Sequence, residues 1–189
     1  GTINNDAQLD EFEDSGTKRY RIVGDPTEGS ILVAAAKAGS LAPDLNSAYP
    51  RAAEIPFDSD RKRMVTVHEV KNAKPTDISP FNGKESGETY AIAVKGAPDV
   101  VLKLCTRYQK MDNTIGTMDE KKRQEILAAN DDMTKDALRV LGMAYRVVTA
   151  KPEHVDSEHL EQELVFAGLV GMIDPAREEV KPALLKALN

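Results

Sequence analysis

"YAIAVKGAPDVVLKLC", residues 90–105, carries an apolar run to a lone lysine and a glycine turn before a helix-like run. Ala91, Ile92, Ala93 and Val94 read as an apolar strand that ends on a single charge, Lys95. Gly96 allows a turn, and Pro98 then opens a helical run to about Cys105. Packing explains Lys95 poorly. It is either an ordinary solvated strand end or a cation placed to hold something negative.

Upstream, "KRYRIV" (18–23) alternates as a strand, and "GDPTEGSILVAAAKAG" (24–39) has the ends of a helix. Asp25 is a good N-cap, Pro26 suits the first helical position, and Glu28 completes a capping box. Gly39 suits the left-handed position past the C-terminus. Residues 42–50 read as a connection. "RAAEIPF" (51–57) and "RMVTVHEV" (63–70) read as strands around the polar turn "DSDRK". His68, on the alternating second strand, reads as a plain surface residue. Residues 71–88, with two prolines and two glycines, read as a long hairpin loop.

Downstream, 117–137 reads as a longer helix opened by a Thr117…Glu120 capping box, and 138–148 as a strand. Residues 151–164 form a connection with some helix, 165–174 an apolar strand, and a helix starts near Pro175. Strands and helices mix without strict alternation. The expected class is α+β, a mostly antiparallel twisted sheet flanked by helices.

The chain has 189 residues and a net charge of −6, which argues against a nucleic-acid-binding domain while leaving room for a single nucleotide. The one cysteine, Cys105, allows no intrachain disulfide, suits a reducing compartment, and reads as a small core residue. No apolar run is long enough to span a membrane, and no signal peptide opens the chain. Neither GxxxxGK[ST] nor GxGxxG occurs. His154 and His159 lie five apart rather than four, so they do not share a helix face as metal ligands would. No metal site and no complete catalytic constellation is expected.

Five stretches remain: "GDPTEG" (24–29), "IPFDSDRKRM" (55–64), "VKGAPD" (94–99), "LRVLGMA" (138–144) and "GMIDPAREEV" (171–180). In this order they resemble the cytosolic nucleotide-binding domain of P-type ion pumps, most nearly the type II calcium-pump branch with its bacterial members. The resemblance implies roles. Phe57 is similar to the aromatic that stacks on adenine, and Glu28 to the carboxylate that meets the adenine amino group. Lys62 and Lys95 resemble the two lysines of the pocket, with Gly96 admitting the nucleotide to the backbone. Arg139 resembles the arginine that reaches the phosphates, and Leu141 an apolar wall. Asp174, Pro175 and Arg177 resemble the hinge into the phosphorylation domain. The implied organisation is a nucleotide-binding domain over 1–173, with the hinge and the start of the phosphorylation domain over 174–189.

Ser59 departs from the pattern where many animal calcium pumps carry an arginine, so one phosphate contact is either missing or supplied by Arg61 or Arg63. Asp99 and Ala176 depart more mildly. DKTGT and a TGES-type loop are absent from the sequence, so the phosphate-accepting aspartate is not in this chain.

The resemblance implies ATP as ligand, Mg-ATP in the parent pump, and no metal held by the domain itself. It also implies the actuator and phosphorylation domains of the same parent chain as partners, a monomeric isolated domain without nucleic-acid or direct membrane contact, and a cytoplasmic location in an integral membrane protein. Bland readings stand beside these roles: a helix cap for Glu28, core for Phe57, a solvated turn for Lys62, a surface ion pair for Arg139. Two rival functions are a self-contained phosphotransferase, which lacks a visible nucleophile, and a regulatory module without a ligand.

Overall fold

The computed structural model describes residues 1–40, 42–71, 81 and 89–173. Most of the loop read at 71–88, and the hinge and helix start read from Asp174 onward, lie outside the described residues.

Two strands, β1 (Gln8–Asp14) and β2 (Thr17–Val23), form an antiparallel hairpin. Helix α1 (Pro26–Lys37) follows. Its N-cap is Asp25, whose carboxylate accepts from the amides of Thr27 and Glu28, and Gly39 beyond its end takes φ +84°, as the sequence reading expected. The stretch read as a connection at 42–50 is instead largely helical: α2 runs Ala42–Ala48. Pro43 lies in its first turn, where no amide hydrogen is needed.

The main sheet comprises β3 (Arg51–Asp58), β4 (Arg63–Glu69), β5 (Tyr90–Gly96), β6 (Cys105–Gln109), β7 (Ile115–Thr117), β8 (Arg139–Val148) and β9 (Leu164–Met172). Its strand order is β3-β4-β5-β8-β9-β6-β7. Neighbours run antiparallel except β6 and β9, which are parallel. With helices α3 (Pro98–Lys103), α4 (Glu120–Lys135) and α5 (Ser157–Leu160) packed around it, this is an α+β domain.

Two boundaries differ from the sequence reading. The helix after Pro98 stops at Lys103, and Cys105 opens β6, whose residues join β9. Thr117 belongs to β7, and Asp119 caps α4 by accepting from the Lys122 amide at 2.7 Å. The short acidic side chain next to the helix wins the cap.

Strand β5 reads as a continuous apolar run because both its faces are covered. Tyr90, Ile92 and Val94 pack with Val65, Val67, Val101 and Phe166. Ala91 and Ala93 pack with Tyr49, Phe81 and Tyr145. Cys105 is buried, its thiol donates to the Val101 carbonyl at 3.2 Å, and burial pushes its pKa up to about 12, leaving an unreactive core residue.

The same double cover corrects the reading of His68 as a surface residue: it is 1% exposed. Its Nδ1 lies 2.8 Å from the Tyr49 carbonyl and its Nε2 2.8 Å from the Thr66 hydroxyl. A carbonyl only accepts, so Nδ1 carries the proton and Nε2 accepts from Thr66. Burial, with the positive charge of Arg51, lowers the pKa to about 4 against the Tyr49 hydrogen bond, which opposes the shift.

Between pH 6.5 and pH 4 the unfolded chain therefore takes up a proton at His68 that the folded chain refuses, and stability falls as pH falls. The expected loss is about 3 kcal/mol. Urea denaturation at pH 7.5 and pH 4 checks it: His68→Asn, which keeps a donor near Tyr49, should lose about that much less than the wild type. Equal losses would remove His68 from the acid response.

Candidate functional site

One end of four neighbouring strands gathers the candidate residues. Asp58 of β3 stands opposite Arg63 of β4, Arg63 opposite Gly96 of β5, and Gly96 opposite Gly142 of β8. Phe57, Lys95 and Leu141 are each one residue from this row, Lys62 lies in the β3–β4 turn, and Arg139 begins β8.

Lys95 lies on the face of β5 shared with Ala91 and Ala93 and is 6% exposed. Its ammonium donates to the Asn4 carbonyl at 2.6 Å and pairs with the Glu28 carboxylate. Burial lowers the Lys95 pKa, and the hydrogen bond and charge of Glu28 oppose that shift. Lys95 does hold something negative, and within the chain that group is Glu28.

Glu28 sits in the first turn of α1, but its carboxylate does not close a capping box. It accepts from the amides of Asp6 at 2.9 Å and Ala7 at 3.1 Å. The Asn5 side chain adds a bond to the Glu28 carbonyl at 2.9 Å. The next contact along α1 reaches β8, where Arg139 donates to the Thr27 hydroxyl at 2.9 Å. Arg139 is exposed and Leu141 half-buried. Asp25, at the end of α1, has its carboxyl held below the usual range: burial raises it, and the Glu28 and Thr27 amides with Arg139 outweigh that.

Gly96 is required by the chain itself. A Cβ there would lie 2.4 Å from the Lys62 carbonyl oxygen and 2.7 Å from Arg63 Cβ. The adjoining Ala97 amide donates to that same Lys62 carbonyl at 3.0 Å. Lys62 is exposed and takes φ +53°. Phe57 is 63% exposed, against the bland expectation of core packing.

Arg61 and Arg63, the candidates to replace an arginine at Ser59, both pair with Glu161, whose side chain is 2% exposed. Asp174, Pro175 and Arg177 lie outside the described residues. Among the described residues, no three His, Cys, Asp or Glu side chains group to hold a metal ion.

Sequence reasoning missed two supports. Asn4, Asn5 and Asp6 brace Lys95 and Glu28, and Arg51 clamps this segment through Asp6 at 2.6 Å and the Asn5 carbonyl at 2.7 Å. Glu161 holds the β3–β4 turn from 98–100 residues away. No local pattern announces either.

The chain matches the family described as P-type ATPase, cytoplasmic domain N, over residues 1–179, and it is a member of that family. It is 37% identical over 188 residues to calcium-transporting ATPase 1 of Bacillus cereus, covering 96% of this chain and 19% of that protein. It is 35% identical over 184 residues to the cation-transporting ATPase pma1 of Synechocystis, covering 97% of this chain and 18% of that protein. A calcium-transporting ATPase of Bacillus subtilis is 34% identical over 165 residues, 87% of this chain and 17% of that protein. The chain thus spans about a fifth of the length of these relatives. No helix among the described residues is long and apolar enough to cross a membrane.

Proposed function

We propose that this chain is the ATP-binding part of an ATP-driven cation pump of calcium type, and that adenine stacks on Phe57. The observation that carries the reading is the Phe57 ring, 63% exposed at the sheet end where Lys62, Lys95 and Arg139 also lie. In a chain with 5% aromatics, an exposed ring among cations suits a planar base attached to an anion.

The internal contacts refine the roles. The Glu28 carboxylate is committed to Lys95 and two amides, so its first duty is to hold the pocket wall, and it meets an adenine amino group only by sharing Lys95. Lys62 and Arg139 are the exposed cations for the phosphates. Leu141 lines the same end of β8, and Gly96 seats the turn that carries Lys62.

In the parent, ATP positioned here is presented, with Mg²⁺, to an aspartate of the phosphorylation domain, which attacks the γ-phosphate and drives translocation. This domain supplies position and charge, not the nucleophile. The chain would be a cytoplasmic domain of an integral membrane protein, a translocase, with residues beyond 173 forming the hinge through Asp174, Pro175 and Arg177. Its partners are the phosphorylation and actuator domains, and in isolation it is a monomer.

Stacking plus a few partly exposed polar contacts leaves on the order of 4–5 kcal/mol, or roughly a millimolar to a few tenths millimolar Kd. Calorimetry with ATP, ADP and AMP, each with and without Mg²⁺, tests this. ATP and ADP should bind with similar affinity, AMP somewhat more weakly, and Mg²⁺ should change little. ATP binding a hundredfold tighter than ADP, or only with Mg²⁺, would demand a dedicated triphosphate site.

Phosphate release by the isolated domain should stay at background, because no phosphate acceptor lies in the chain. Turnover that co-purifies with the protein and disappears on mutating its residues would instead support a self-contained enzyme.

A further inference from the structure

We propose that Glu161 is a positioning residue for the nucleotide site, fixing the turn that bears Lys62 and adjoins Phe57; this rests on the nucleotide reading above. The turn at 58–63 is tied from several sides. The Asp58 carboxylate accepts from the amides of Asp60 at 2.9 Å and Arg61 at 2.8 Å, and the Lys62 amide donates to the Asp58 carbonyl at 2.7 Å. The Arg63 guanidinium donates to the Arg61 carbonyl at 2.9 Å.

All of these bonds are local to the turn and would travel with it. Beyond the ladder pairing of Arg63 with Gly96, and among the described residues, the turn meets the rest of the fold through the Ala97 amide on the Lys62 carbonyl and through Glu161.

Glu161 takes the residues on either side of Lys62. One carboxylate oxygen meets Arg61, and the other meets Arg63, whose Nε lies at 2.7 Å. The carboxylate cannot wander, because Glu161 ends α5 directly after Leu160, which is 1% exposed in the core. Its own amide donates to the Ser157 carbonyl at 3.1 Å.

The chemistry is uneconomical as a mere staple. Burying one carboxylate with two guanidinium groups costs desolvation, and a well-packed apolar group would hold the chain at least as well. What charges in a fixed fork add is a single geometry. Lys62 needs one, because φ +53° is unfavourable for a residue with a side chain and persists only where its surroundings over-determine it. Arg61 and Arg63 are thereby spent inward, and Lys62 is the cation the turn presents outward.

The test compares wild type, Glu161→Gln, Glu161→Ala and Val67→Ala. Val67→Ala trims a core side chain of β4 and serves as a control for lost stability alone. Each is followed by NMR amide signals without ligand, by urea denaturation, and by titration with ATP and AMP. Glu161→Gln keeps the shape and stays folded if the alanine variant does not.

The expected result is a displacement of the 58–63 amide signals before any ligand is added, with ATP and AMP both weakened about tenfold, the low end of what loss of an outer support costs. Val67→Ala should lose stability with its affinity unchanged. Glu161→Gln binding as well as wild type overturns the proposal alone. ATP tightening selectively over AMP also overturns it, because Glu161 would then be masking Arg61 and Arg63 from phosphate. A wild type that binds no ATP overturns the nucleotide reading and this one with it.

Discussion

Phe57→Ala should remove measurable ATP binding and leave the domain folded. The ring is 63% exposed, so its loss opens no core cavity, and a change in stability within about 0.5 kcal/mol is expected. Base–aromatic stacking is worth about 1–3 kcal/mol. Against a total on the order of 4–5 kcal/mol, its loss moves the Kd from about a millimolar to tens of millimolar or beyond. NMR titration measures the affinity, with circular dichroism as the control on the fold. Unchanged affinity would end the stacking role. Loss of folding would return Phe57 to the core.

Lys95→Ala should act in the opposite order, on the fold first. It leaves the mostly buried Glu28 carboxylate with only the Asp6 and Ala7 amides and strips the Asn4 carbonyl of its donor. Breaking a buried pair from one side costs about 3–5 kcal/mol. A domain of this kind has about 5–15 kcal/mol in all.

Urea denaturation of Lys95→Met, Glu28→Gln and the Lys95→Met/Glu28→Gln double variant measures the coupling, and the double variant should be less destabilised than the sum of the singles. Additive losses would show that the pair does not hold the site. Lys95→Arg should fail to restore either stability or binding, because a planar guanidinium does not fit where a compact ammonium sits between the Asn4 carbonyl and Glu28.

The parts of the fold legible in the sequence were those written in local rules. The strand–glycine–helix handover at 90–98, the Asp25 and Gly39 positions at the ends of α1 and the existence of α4 each depend on neighbours within a few residues. The parts that were not legible depend on what covers them. Strand β4 alternates as if one face were wet, yet Ile3, α2 and Tyr49 lie over that face, and His68 is buried as a result. Nothing in "INND" signals that Asn4 and Asn5 will meet a lysine and a helix far down the chain.

The candidate site followed the same division. Residues in recognisable motifs, Glu28, Phe57, Lys62, Lys95, Gly96, Arg139 and Leu141, gather at one sheet end. One local reading changed on contact with tertiary structure: Glu28 looked like a capping-box residue and is the partner of Lys95. Gly96 proved to have a structural duty as well, giving room to the Lys62–Arg63 backbone. Glu161, in a stretch read as a connection, carried no sequence signal because both its partners lie about a hundred residues away.

The stacking of adenine on Phe57 is most directly tested by nuclear Overhauser contacts in the ATP-bound wild-type domain. The predicted result is contacts from the C2 and C8 protons of adenine to the Phe57 ring, growing with ATP to half-saturation at about millimolar ligand. Saturable ATP binding whose adenine protons contact other residues and never Phe57 would contradict it.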